Sequence, residues 1–308
     1  MQGIYGQISW LIGRTPMLRL SSLETYFGLG AALYAKLESF NPSGSVKDRA
    51  ALFMIEDAHR RGLIGEGNAV IEATSGNTGI SLAMLSAVYG YRALIVMPES
   101  MSEERRALIR SYGGELVLTN GAKGMKGAIE RAVELLSEIK GAYSPGQFEN
   151  TQNKNAHYQT TGKEIYTDMK GSVDILVCGV GTGGTLSGTG RFLKEKNPSV
   201  KLVAVEPVES AVLSGRPAAS HGIQGIGVGF LPPLFEGEIT DEVVAVSTEE
   251  AIEMCRILGL REGVFAGFSS GAALSAAVSI AKRSENTAKN IAVILPDGGE
   301  RYLSVSKV

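Results

Sequence analysis

The hydrophobic positions of this chain follow two alternating rhythms. Short runs of β-branched and apolar residues occur at AVIEAT (69–74), ALIVMP (93–98), ELVLT (115–119), DILVCGV (174–180), KLVAVEP (201–207), EVVAVS (242–247) and IAVILP (291–296). Their length and composition are those of strands. Several are apolar throughout, as when helices cover both faces of a sheet. Between them, apolar residues recur at helical spacing over 78–89, 103–112, 125–140, 185–196, 248–258 and 270–283. This alternation predicts an α/β fold with mostly parallel sheets and right-handed crossovers.

Two such blocks, 69–119 and 174–207, each carry a glycine-rich turn, and the polar segment 142–160 with Pro145 and Gly146 separates them. We expect two domains with a cleft between them: a smaller, mobile domain over 41–145, and a larger one built from 1–40 and 146–308. The stretch 208–238 holds Pro217, Pro232, Pro233 and IQGIGVG. A loop of that length is usually functional rather than mere connection.

Composition narrows the classes. A chain of 308 residues has room for two α/β domains. A formal net charge of -2, without a basic run, argues against nucleic acid and against a membrane surface. No apolar stretch is long enough for a bilayer. The start, MQGIYGQISWLIGRTPMLRL, lacks the basic, apolar and small-residue regions of a signal peptide. Cys178 and Cys255 stand outside any CxxC or Cys/His cluster, so no metal site is expected, and the low count suits a reducing cytoplasm. The 39 glycines stand out; they suggest unusual backbone angles or close ligand approach.

Four motifs carry candidate chemistry. In Asn41-Pro42-Ser43-Gly44-Ser45-Val46-Lys47-Asp48-Arg49, the Ser45/Asp48 spacing predicts a capping box and a helix starting near Val46. Lys47 then lies in the first turn, where the helix dipole disfavours an ammonium. Burial would favour the neutral amine that condenses with an aldehyde; a surface lysine fits the spacing equally. Thr74-Ser75-Gly76-Asn77-Thr78-Gly79 leads from strand to helix, with more polar side chains than a cap needs, and suits a carboxylate or phosphate. Gly179-Val180-Gly181-Thr182-Gly183-Gly184-Thr185 satisfies GxGxxG, with Glu206 ending the next strand. That fits a dinucleotide, or a compact cup for one terminal phosphate. Gly267-Phe268-Ser269-Ser270-Gly271 precedes an alanine-rich helix; Ser269 is a cap or a partner for a cofactor ring nitrogen.

Together, and in this order, the motifs resemble the fold-type II pyridoxal 5′-phosphate (PLP) enzymes, whose fold is tryptophan synthase β-like. Within them they are most similar to the cysteine synthase (O-acetylserine sulfhydrylase) family. The likeness runs through IGRTPMLRL, NPSGSVKDRA, EATSGNTGI, QFEN, HYQTTGKEI, GVGTGGTLSG, HGIQGIGVGF, GFSSGAA and GERYLS. It implies PLP as cofactor, bound in the larger domain, with Lys47 as the Schiff-base lysine and general base. It implies Asn77 at the cofactor's 3′ oxygen, Gly181, Thr182, Gly183, Gly184 and Thr185 around its phosphate, and Ser269 at its pyridine nitrogen. Thr74, Ser75, Thr78 and Gln147 would take the substrate carboxylate, and the loop at Gly225 would close over the substrate. The implied reaction is β-replacement making L-cysteine from O-acetyl-L-serine and sulfide through an α-aminoacrylate. A homodimer is implied as well, and the C-terminus of a serine acetyltransferase as a partner.

The tail departs from the family's PSSGERYLST: here Asp297-Gly298 precede GERYLS, which leaves the protonation of the pyridine ring open. Residues given structural roles are His59 (solvated), His157, His221 (at the loop rim), Cys178 and Cys255 (packing), Trp10 (packing) and the solvated run Glu103 to Arg106. Three other readings stay open. One is an NAD-dependent oxidoreductase using GxGxxG and Glu206. Another is a non-catalytic binding module. The third is a related β-replacement or elimination with O-phosphoserine, serine or cysteine as donor, cystathionine β-synthase-like or releasing hydrogen sulfide. A phosphoserine donor calls for an arginine at the leaving group, for which Arg216 is the nearest candidate.

Overall fold

A computed structural model describes residues 3–304. Its strands are β1 (Met17–Arg19), β2 (Ala32–Leu37), β3 (Ala69–Ala73), β4 (Arg92–Pro98), β5 (Glu115–Thr119), β6 (Ile175–Gly179), β7 (Lys201–Pro207), β8 (Glu242–Val246) and β9 (Asn290–Leu295). The α-helices are α1 (Ser21–Phe27), α2 (Lys47–Arg60), α3 (Asn77–Tyr89), α4 (Glu103–Ser111), α5 (Gly124–Glu138), α6 (Thr151–Ala156), α7 (Gly162–Asp168), α8 (Gly184–Lys196), α9 (Thr248–Glu262) and α10 (Phe268–Ala281). The chain divides into two compact units: residues 1–12, 41–153 and 301–308, and residues 13–40 and 154–300.

In the first unit, β3, β4 and β5 form a parallel sheet, three-stranded among the described residues. Successive side chains on a strand point to opposite faces, and the two faces have separate cores. Val70, Ile95 and Met97 pack with Ile55 of α2 and Ile80 and Leu85 of α3. Ile71, Leu94 and Val96 pack with Ala128, Ala132 and Leu135 of α5. Burial on both faces is why these strands are apolar without alternation.

The second unit is built on a sheet ordered β1-β2-β9-β6-β7-β8, six-stranded among the described residues. All its pairs are parallel except β1 with β2. One core joins Leu176, Cys178, Leu202 and Ile294 to Leu186, Phe192 and Leu193 of α8. Helix α10 packs along β9 and β6 and is almost wholly buried, consistent with its being apolar around its full circumference.

The seven strands read from the chain are all present, within a residue or two at their ends. Strands β1 and β2 were missed for a physical reason. In β2 (ALYAKL), Lys36 is fully buried and interrupts the apolar pattern. Its ammonium donates to the Thr15 carbonyl at 2.6 Å and pairs with Glu164 at 3.0 Å. The polar stretch 142–160 also holds more helix than its composition suggests: α6 runs into α7 through a π-helical turn, His157–Thr161. The stretch 208–238 is irregular apart from 3-10 turns at Val208–Ser210 and Gly237–Ile239.

Candidate functional site

In the first unit, Lys47 is the first residue of α2 and is half-buried. The capping box expected from Ser45 and Asp48 is not formed: the cap position is Val46, and no side chain caps the helix. Ser45 Oγ instead accepts the Lys47 N–H at 3.3 Å. The buried Asp48 carboxylate turns back to accept from the Ser43 N–H at 2.7 Å and from the Ser43 hydroxyl. It also accepts from Ser81 Oγ at 2.6 Å. Burial pushes Asp48 above the usual carboxylate range, against these hydrogen bonds and the charge of Arg301. Ser81 lies one turn into α3, so this bond ties the start of Lys47's helix to the helix that Asn77 opens.

The turn from β3 into α3 carries the polar cluster. Thr74 and Thr78 are buried, and Ser75 and Asn77 half-buried. Thr78 donates its hydroxyl to Gln147 Oε1 at 2.7 Å, which brings Gln147, distant in sequence, to the same turn. The 144–147 loop is held by Glu72, whose buried carboxylate accepts from the N–H groups of Gly146 (3.1 Å) and Gln147 (3.4 Å) and from Ser144 Oγ (3.3 Å). Burial raises Glu72, opposed by those same donors. The first unit thus joins Gln147 to the turn that carries Thr74, Ser75, Asn77 and Thr78, and ties the helix that Lys47 opens to α3 through Ser81 and Asp48. Sequence reasoning missed the supports Glu72 and Arg301, and gave Asp48 a capping role in place of its bonds to Ser43 and Ser81. Their signal, a charged residue within a short apolar or motif segment, reads as noise without a fold.

In the second unit, the turn from β6 into α8 carries Gly181, Thr182, Gly183, Gly184 and Thr185, the first four buried. Gly183 has φ 86°, and a Cβ there would lie 2.6 Å from the Phe235 backbone nitrogen. A Cβ on Gly181 would run into the Gly225 carbonyl. The turn is therefore a cradle of backbone whose space side chains would fill, at the N-terminus of a 13-residue helix. That suits a phosphate, by N–H donors and by dipole. Thr185 Oγ1 is 3.1 Å from His157 Nε2, and His157 Nδ1 is 2.9 Å from Thr161 Oγ1. The buried histidine thus braces the cup from the π-turn.

Ser269 is buried in the first turn of α10, behind the cap position Gly267. Gly225, with φ 95° and exposed, would bring a Cβ within 3.8 Å of Ser269 Oγ. The glycine-rich turn, the Gly225 loop and Ser269 therefore converge within this unit. His221 shapes the same loop, with Nε2 2.9 Å from the Gly227 carbonyl and Nδ1 accepting from the Ile223 N–H at 3.2 Å. Asp297 is buried beside α10, and its backbone carbonyl accepts from the Gly267 N–H at 3.2 Å. Cys255 Sγ donates to the Gly267 carbonyl at 3.2 Å. Burial, with a smaller push from the Asp297 charge, drives that thiol up to about 12 against a hydrogen bond from Gly271.

Several residues differ from expectation. Glu206 is buried and accepts from the N–H groups of Leu213 (2.7 Å) and Ser214 (3.1 Å) and from Ser214 Oγ (2.5 Å). It holds a turn, which leaves little of it for a ribose. Trp10 is 56% exposed, more than packing predicts, with its ring lying against Gly6. His59 is exposed as expected, yet its Nδ1 meets Tyr91 Oη at 2.8 Å. Arg216 is exposed. Among the described residues, no group of three His, Cys, Asp or Glu could hold a metal, and no helix is long and apolar enough to cross a membrane.

Comparison with known proteins agrees with this chemistry. The family described as "Pyridoxal-phosphate dependent enzyme" matches residues 8–297. A cysteine synthase of Staphylococcus aureus (strain N315) is 48% identical over 298 residues, 96% of this chain and 95% of that protein. Among solved structures, a cysteine synthase of Entamoeba histolytica superposes with TM-score 0.96 at 43% identity, over 99% of this chain and 90% of its own. A hydrogen sulfide-producing enzyme of Fusobacterium nucleatum superposes with TM-score 0.94 at 43% identity, over 98% and 99%.

Proposed function

Because the chain belongs to the pyridoxal-phosphate dependent enzymes, within the cysteine synthase family, we propose that it makes L-cysteine from O-acetyl-L-serine and sulfide by β-replacement. PLP is its cofactor, and when bound it supplies the electron sink for negative charge at the substrate Cα. The observation that carries the reading is the bond from Ser81 to Asp48, which ties the start of the Lys47 helix to the helix that follows the polar turn at Thr74 to Thr78.

In this reading Lys47 would hold the cofactor's aldehyde carbon, and its amine, set free when the substrate's amino group takes its place there, would accept the Cα proton as general base. Thr74, Ser75, Thr78 and Gln147, with the α3 N–H groups, take the substrate carboxylate. Asn77 faces the 3′ oxygen. Gly181, Thr182, Gly183, Gly184 and Thr185 hold the phosphate, and their glycine cradle supports the fit. Ser269 faces the pyridine nitrogen with a neutral hydroxyl, which does not hold that nitrogen protonated as a carboxylate would. A weaker sink of this kind favours β-replacement over transamination. The Gly225 loop closes over the substrate and excludes water.

The protein acts as a homodimer in the cytoplasm. The run of exposed apolar side chains Ile4, Tyr5, Ile8, Trp10 and Leu11 supports the first. The C-terminal carboxylate of a serine acetyltransferase is a suitable guest for the same Thr74–Gln147 carboxylate site. The Fusobacterium neighbour favours one further reading, elimination from cysteine with release of sulfide.

Comparative turnover decides the donor. O-Acetylserine, O-phosphoserine and cysteine are each supplied with and without sulfide, and L-cysteine and sulfide are measured. The proposal expects the highest kcat/KM for cysteine formation from O-acetylserine. Faster sulfide release from cysteine alone would replace it with the elimination reading.

A further inference from the structure

Arg301 lies in none of the glycine-rich motifs, yet it reaches the centre of the first unit. It is 2% exposed, and its guanidinium donates to the Asn77 side-chain oxygen and to the Ser43 carbonyl. A buried guanidinium is costly unless its charge is answered. The Arg301 charge acts on the carboxyl of Asp48, favouring its ionised form against burial, and Tyr112 feels both groups. Arg301 thus stands behind the two segments whose ends carry Lys47 and Asn77.

The contact has a chemical consequence. A guanidinium has only donors, so the corner of the Asn77 amide that meets it is the oxygen. The amide is planar, and its other corner is then an NH2 group with donors only.

We propose that Arg301 is a positioning residue. By holding the Asn77 oxygen, it presents the Asn77 NH2 as the hydrogen-bond donor to the cofactor's 3′ oxygen. The inference rests on the placing of Asn77 in the proposed function. A donor at that oxygen favours its anionic form, because hydrogen bonds to charged acceptors are the stronger ones. The buried positive charge behind the amide biases the cofactor the same way. Bound cofactor therefore rests in its charge-separated form, which absorbs in the visible, rather than in the neutral form, which absorbs in the near ultraviolet.

The test compares holoenzyme absorption spectra, normalised to cofactor released by alkali, for the parent, R301K, R301M and N77D. R301M is expected to lose several-fold in the ratio of visible to near-ultraviolet absorbance. R301K, which still donates to the Asn77 oxygen, keeps most of it. N77D retains a partner for Arg301 but offers no donor, and shifts as R301M does. Where R301M fails to fold, R301M/D48N removes both buried charges together and reports in its place. A merely structural arginine would lower the melting temperature and leave the spectrum of the loaded fraction unchanged, and that result overturns the proposal. If the parent carries no cofactor on Lys47, the underlying site reading fails instead.

Discussion

Gly183 shows how much chemistry rests on one missing carbon. Its φ of 86° is left-handed, and the space for a Cβ is taken by the Phe235 backbone. Gly183→Ala should cost at least about 1–2 kcal/mol from the backbone angle alone, with the clash added. It should lower both the melting temperature and the cofactor content of the purified protein; an unchanged cofactor content would show that the cup is not the phosphate site. Cys255 makes a converse case. Its thiol, pushed up to about 12 by burial, stays protonated at pH 8. Iodoacetamide should label it in the native protein far more slowly than after denaturation, and equal rates would refute that burial. At this scale the sequence was legible where the backbone itself restricts the residue type: glycines at closed turns, small hydroxyls at a helix start. It was least legible for Asp48, Glu72 and Arg301. A charge announces its role only through the partners that folding brings to it.

Between elements, Glu236 makes a link that no motif flags. It joins Lys154 of α6 to Arg191 of α8, with Arg191 Nη2 at 2.7 Å, and its N–H donates to Ser187 of α8 at 2.9 Å. Burial alone would raise Glu236, but Lys154 and Arg191 overcome it and hold the carboxyl below the ordinary range. A lowered folded value means that the stabilisation is present above the unfolded value, about 4.3. It fades as pH falls through the folded value. Glu236→Gln should therefore melt below the parent at pH 7, with the gap closing as the buffer is taken below about pH 4; a gap independent of pH would contradict the ion-pair account. The strands of both parallel sheets were readable because burial on two faces leaves runs of apolar residues. Strand β2 was not, since Lys36 pairs inside the protein and breaks the run. The π-turn at His157–Thr161 was also hidden. Its sequence is polar, and its cause is tertiary: His157 reaches Thr185 across to α8.

For the whole molecule, family and fold were legible because the motifs recur in register along nearly the full chain, and the relatives are matched over 96% of it. Quaternary structure has no such signature. The exposed apolar side chains from Ile4 to Leu11 are what a partner subunit would cover. Sedimentation at micromolar concentration should give a dimer, and I8E/W10E should shift it towards monomer; a parent that sediments only as monomer would end that reading.

The most direct test of the proposed chemistry is covalent capture of the cofactor. Holoenzyme is reduced with borohydride, digested, and its peptides are sequenced by mass spectrometry. One pyridoxyl group is predicted, on Lys47, and none in Lys47→Ala. Cofactor that is bound but fixed on another lysine, or that cannot be fixed at all, would contradict it.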